Sequence, residues 1–408
     1  MVLLTTNARI EGGELITAGT GQFRVGVGQT ATLEELTLDG PLVAENLSNT
    51  IISDEIISTS SIDIVSTTNG ATNLVVAAGG ATLTGGGTVT LSGINPRIVD
   101  ATGTQTLTIV DHTIQGSGNI GFNTTDFVNQ MDGLIDANVD GETLFIDPAG
   151  SFINDGTLRA SGGGILQLLD AGTVDFDNED GTIEALNGSV VLLTTNARIE
   201  GGELITAGTG QFRVGVGQTA TLEDLTLDGP LVGENLSRTI IAGTIINTGS
   251  IDIVSATAGA TDLVVATGGA TLTGGGTVTL SGENPRIVDA TGTQTLTIDD
   301  QTIQGSGNIG FNTTMIVNNG TILANDATAQ LTIDVVSADF ENDGTLQVAN
   351  GATLEVIGDL IGESTATLAG DGTITATGGD IQHAGLITVG DDSIGNLCLL
   401  YTSPSPRD

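Results

Sequence analysis

Residues 154–168 read NDGTLRASGGGILQL, and the cadence returns as EDGTIEALNGSVVLL at 179–193 and NDGTLQVANGATLEV at 342–356. Shorter openings of the same kind stand at 318–322 (NNGTI) and 370–374 (GDGTI). Counting from the glycine, small or apolar residues fall at the second, fourth, tenth and twelfth places. They are Leu158, Ala160, Leu166, Leu168; Ile183, Ala185, Val191, Leu193; and Leu346, Val348, Leu354, Val356. Alternation with period two over four to six residues marks a short strand with one buried face. The Asn-Gly and Asp-Gly pairs are expected to supply the positive φ of a tight corner. Each unit should therefore hold at least two short strands, and Leu158, Ile183 and Leu346 should point inward.

Unit starts lie about 21 to 28 residues apart. A longer period contains them. Residues 2–125 recur as 191–314, with 109 of 124 positions identical and no gap. A stack of equivalent layers lengthens by adding layers, whereas an enzyme gains nothing from a second core in tandem. The long period divides the chain into a first copy, 1–189, a second copy, 190–378, and the start of a diverged further copy, 379–397. IQHAGLITVG at 381–390 parallels IEGGELITAG at 199–208.

A hairpin meander with this alternation would need a second sheet to cover it, usually anchored by aromatics. Aromatics make up 2% of this chain, so Val, Ile, Leu, Ala and Thr are left to fill the core. That suits a narrow coil in which like stacks on like. The fold class expected is all-β: a single-stranded right-handed parallel β-helix with about 20–25 residues per coil.

The cadence N-D-G-T-[LI]-x-A…G-x-x-L-x-[LV], with stretches such as LTGGGTVTLSG and TIQGSGNIGFNT, resembles large repeat-rich bacterial surface and secreted proteins. These are filamentous-haemagglutinin-like adhesins and autotransporter passengers. The resemblance covers residues 1–397. It implies extracellular or cell-surface display, adhesion to a glycan or another cell, and no catalytic motif that can be placed on this sequence.

Composition narrows the partners. Residues 1–397 contain no Cys, Trp, Tyr or Lys, and their eight Arg stand against 48 acidic residues. A formal charge of −40 leaves no basic patch to displace counterions, so no nucleic-acid partner is expected. No run of about 18 apolar residues offers a membrane span. With 38% hydrophobic residues the chain is too apolar for an acidic disordered tail.

Several residues invite a chemical reading, each with a plainer one beside it. His112 and His383 are the only histidines, and Gln301 replaces His112 in the second copy. Exposed corner positions account for both. Asp299-Asp300 could serve as a glycosidase pair, but the first copy has Val110-Asp111, and strand neighbours point to opposite faces. Arg97 with Asp100, and Arg286 with Asp289, read as surface ion pairs rather than an active pair. A carbohydrate-active β-helix enzyme is thus the alternative, and no catalysis is the expectation. No cofactor is implied. Calcium is the one metal left open, through Asn178-Glu179-Asp180 and Asp170, in the manner of an acidic matrix or S-layer-like protein. Thr-x-Thr pairs suggest ice binding, but only Thr82 and Thr106 have the spacing expected of neighbouring coils. Asn46, Asn123, Asn187, Asn235 and Asn312 match the N-glycosylation pattern, which short polar repeats produce by chance.

The ends differ from the rest. Met1 takes the place of Val190, so the sequence opens in mid-repeat, and end-to-end self-association is expected of a stack cut there. Cys398–Asp408, CLLYTSPSPRD, holds the only Cys and the only Tyr. It resembles an in-frame translation of a transposase adapter, a non-native tail expected to make no packed contact.

Overall fold

The strand Thr157–Ala160 pairs in parallel with Thr182–Ala185, placing Leu158 on Ile183 and Ala160 on Ala185. That relation repeats through the chain. A computed structural model describes residues 1–169, 175–337, 339–389 and 398–402. They form an all-parallel β-solenoid without helix, in about 17 turns of roughly 23 residues. The chain divides into two units, Met1–Phe212 and Arg213–Asp408.

From Thr88 to Glu200 each coil contributes three strands, one more than the sequence pattern shows. Thr88–Gly93, Thr113–Gly116, Leu134–Ala137, Thr157–Ala160 and Thr182–Ala185 make one sheet. Pro96–Asp100, Gly118–Ile120, Thr143–Ile146, Ile165–Leu169 and Val190–Thr194 make the second. The third runs through Gln105–Ile109, Thr125–Asn129, Phe152–Asn154, Asp175–Asp177 and Ala197–Glu200. The second unit repeats the plan, for example through Thr277–Gly282, Thr302–Gly305, Thr321–Ala324, Thr345–Val348 and Thr367–Gly370.

All twelve alternating residues named from the sequence are fully buried. The third sheet corrects the expectation about filling. Phe127, Phe152 and Phe176 stack on one another with ring centroids 5.6 and 5.4 Å apart, and all three are buried. Aromatics are few, yet a phenylalanine takes an inward place in three successive third strands, where burial is worth about 1.5–3 kcal/mol each and a stacked pair about 0.5–1.5 kcal/mol more.

Beside this stack runs a buried column of amides. Asn129 Nδ2 donates to Asn154 Oδ1 at 2.8 Å, and Asn154 Nδ2 donates to Asn178 Oδ1 at 2.7 Å. In the second unit Asn318 Nδ2 donates to Asn342 Oδ1 at 2.6 Å. The column explains the N-D-G-T cadence differently from the turn reading. Gly156, Gly181, Gly320 and Gly344 do not have positive φ. They are glycines because a Cβ would meet backbone. At Gly156 it would lie 2.4 Å from the Gln130 carbonyl oxygen, and at Gly181 2.1 Å from that of Asn154. The positive φ values stand elsewhere, as at Glu35 and Asp54, where the long strands Thr30–Asp39 and Asn49–Ser58 turn between faces through a register shift.

The two copies differ in coupled ways. In the first, Asn73 Nδ2 donates to Asn49 Oδ1 at 2.8 Å. Their equivalents are Asp262 and Arg238, again in register, and Asp262 receives both Nε and Nη2 of Arg286 at 2.8 and 3.1 Å.

Cys398–Thr402 pairs in parallel with Thr373–Thr377, so the expectation that this tail makes no packed contact fails for its described part. The physical reason is the ladder itself: an open edge bonds any extended backbone, whatever its side chains. Leu399 and Leu400 nonetheless remain 38% and 50% exposed, so the pairing buries little.

Candidate functional site

His112 is fully buried, not an exposed corner residue. It stands immediately before the strand Thr113–Gly116, at the place that Gly156 holds before Thr157–Ala160, and Ile109 takes the ladder place of Asn129. The coil beneath carries Gly85-Gly86-Gly87, and a Cβ on Gly87 would lie 2.9 Å from His112 Nε2. Neither ring nitrogen has a hydrogen-bond partner; Nδ1 lies 3.5 Å from Asp111 Oδ1, too long for a good bond. Burial lowers the His112 pKa despite the neighbouring carboxylate, so the ring is held neutral.

In the second copy the same place is satisfied. Gln301 Nε2 donates to the carbonyls of Asn247 and Thr273 at 2.9 and 2.8 Å, and Asn247 Nδ2 donates to Gln301 Oε1 at 2.7 Å. Asn247 stands for Ser58 and Gly249 for Ser60, so three substitutions changed together around one buried corner. The His-to-Gln change is visible in the sequence, whereas its partner Asn247 lies 54 residues away.

The remaining candidates separate. Arg97 and Asp100 do not pair. Arg97 Nε donates to Asn95 Oδ1 at 2.8 Å, and its guanidinium lies 3.8 Å over the Phe122 ring. Burial alone would raise the Asp100 pKa, but the backbone N–H groups of Gln105, Gly103 and Thr102 outweigh it and hold the carboxylate below its ordinary range. Asp289 is held in the same way, and Arg286 turns instead to Asp262. Asp299 and Asp300 lie after the strand Thr295–Ile298 rather than on it, so the opposite-face argument does not apply. Both are exposed and tied to the turn below, Asp299 to Thr273 Oγ1 at 3.4 Å and Asp300 to the Gly275 N–H at 3.0 Å. His383 ends the strand Thr373–His383, with Nε2 3.0 Å from the Leu386 carbonyl.

For calcium, Asp180 joins Asp132 and Asp155 around an open hollow of about 570 Å³ that the sequence did not announce. No three His, Cys, Asp or Glu side chains come close enough to share a metal among the described residues. Asp170 lies outside them. Thr82 faces Thr108, not Thr106. A row of five does form, Thr277, Thr302, Thr321, Thr345 and Thr367. Its companion row two residues on is Thr279, Gln304, Leu323, Gln347 and Ala369, which breaks the paired ranks ice binding needs. Among the glycosylation patterns, Asn46 Oδ1 accepts from the Thr67 and Thr68 N–H groups and Asn187 Oδ1 from that of Thr209, so both amides hold turns.

No helix in the described residues is long and apolar enough to cross a membrane. A scan of protein-family models and a search of curated proteins both returned no match to this chain.

Proposed function

We propose that the chain is a structural or adhesive segment of a large extracellular or cell-surface bacterial repeat protein, and that it performs no catalysis. The observation that carries this reading is how the two copies differ. Between residues 2–125 and 191–314, eleven of the fifteen differing positions are exposed or half-buried in the first stretch, while every buried Leu, Ile, Val and Phe of 2–125 is unchanged. The coil is kept and its surface is altered, as expected of a scaffold that displays. Five of the differences fall between Ser53 and Ser60, where Asp54 and Glu55 line a hollow of about 420 Å³ with Thr82, Thr106 and Thr108. Gly243 and Thr244 stand there in the second copy. A glycan or another cell surface is the partner that fits a polar, weakly aromatic face.

The test is a glycan array and a cell-adhesion assay with the purified chain, alongside a screen against pectin, alginate and other uronic polymers. Binding without turnover is expected. Release of reducing ends or unsaturated products, lost on Asp300→Asn, would overturn the reading.

A further inference from the structure

Asp147 and Asp334 occupy the same corner in the two units. The Asp147 N–H donates to the Ile120 carbonyl at 2.9 Å, and the Asp334 N–H to that of Ile309 at 2.8 Å. Each aspartate's own carbonyl oxygen accepts a short bond, from the Asn123 N–H at 2.7 Å and from the Asn312 N–H at 2.7 Å. Those donors are aimed by pairs of non-glycine residues in the left-handed region, Phe122 and Asn123 at φ 51° and 54°, Phe311 and Asn312 at 49° and 53°. Gly121 and Gly310 leave room beside the carbonyl, where a Cβ would stand 2.3 and 2.4 Å from its oxygen. One thing distinguishes the corners. Asp147 is followed by Pro148, giving the only Asp-Pro bond in the chain, and Asp334 by Val335.

We propose that the Asp147–Pro148 peptide bond is a self-cleavage site that the folded corner activates in mild acid. The hydroxyl oxygen of the neutral Asp147 carboxyl attacks its own backbone carbonyl carbon, forming a five-membered cyclic anhydride. The bond from that carbon to the Pro148 nitrogen breaks, and the carboxyl proton passes to the nitrogen, which leaves as a secondary amine. Water then opens the anhydride, so the sum is one peptide bond and one water converted to a carboxyl terminus and an amino terminus. The Asn123 N–H stabilises the negative charge that develops on the carbonyl oxygen. Proline is the better leaving group because it departs as a secondary amine, whose nitrogen is more basic and takes the proton more readily than the primary amine Val335 would become.

Charge at the corner suits this chemistry. Burial raises the Asp147 pKa, keeping its carboxyl protonated at a higher pH than an ordinary aspartate. Burial likewise raises that of Asp334, with the Glu355 charge adding to it. On the neighbouring elements, Asp126 is engaged by the Gly150 and Ser151 N–H groups and Asp100 by its own loop. Asp170, next after Leu169 in the sequence, lies outside the described residues. No ion pair engages the Asp147 carboxyl among the described residues, so nothing there holds it ionised.

The purified full chain is incubated at about pH 5 to 6, folded and again unfolded in urea, with circular dichroism recorded and products read by intact mass. A fragment starting at Pro148 should appear at least ~10-fold faster from the folded chain, with an added amine trapping the anhydride on the fragment ending at Asp147. Asp147→Asn and Pro148→Val should abolish it, and Val335→Pro should create a second cut after Asp334. Equal rates from folded and unfolded chain, or a folded Val335→Pro chain uncut at Asp334, would overturn the proposal.

Discussion

Asn247 and Gln301 join side-chain amides across 2.7 Å although a whole coil, with Gly274-Gly275-Gly276, lies between them in sequence. A Cβ on Gly276 would lie 2.5 Å from the Asn247 carbonyl oxygen, so the intervening coil has glycine there. The first copy keeps the glycines but places Ser58 and His112 at the two ends, and there the contact is not made.

Acid should therefore weaken the first copy more than the second. The folded pKa of His112 is lowered from 6.5, so its stability contribution is fully present above about that pH and is lost as pH falls towards the folded value. Transplanting the second copy's solution, Ser58→Asn with Ser60→Gly and His112→Gln, should remove this loss and satisfy the corner, a gain of about 1–3 kcal/mol. Thermal melts of the two proteins between neutral pH and mild acid check it. Parallel pH profiles would show that His112 does not carry the effect.

Gly156→Ala should destabilise the chain by roughly 1–3 kcal/mol, because the new methyl group meets fixed carbonyl oxygens rather than flexible side chains. Gly150→Ala is the control: its Cβ would find an ordinary contact 3.4 Å from Asp126 Oδ1 and should change stability by less than about 0.5 kcal/mol. Urea titration of both variants gives the comparison.

Asn154→Leu should cost about 1–3 kcal/mol for each buried amide left without a partner, since Asn129 loses an acceptor and Asn178 a donor. A double-mutant cycle with Asn129→Leu should show coupling of about 0.5–3 kcal/mol. Additive losses would mean that the amides act singly.

The strands at Leu158–Ala160 and Leu166–Leu168 were legible because period two survives wherever one face is buried and the other wet. The third strand was not. Phe152–Asn154 and Asp175–Asp177 are three residues each, too short for alternation to register, and their one inward aromatic reads as an isolated hydrophobe. The Asn-Gly motif is plain in the sequence but its cause is not, because a glycine needed for close approach looks in sequence like one needed for positive φ. The buried corner at His112 was only half visible. Its substitution shows in the alignment of the two copies, but Ser58 and Ser60 become its neighbours only once the coils are stacked. Corners such as Asp147 carry no periodicity, and their shared role appears only in the backbone bonds from Asn123 and Asn312.

The Asn49–Asn73 pair and its counterpart, Arg238 with Asp262, bear on how such a chain finds its register while folding. Two segments with 109 of 124 identical positions offer each coil two nearly equivalent places to dock, and apolar contacts cannot tell them apart. A coil docked on the wrong copy would set Asn73 on Arg238, or Asp262 on Asn49, and either exchange would lose the amide bond from Asn73 to Asn49. The coupled substitutions thus act as address labels, penalising swapped assembly between otherwise interchangeable layers.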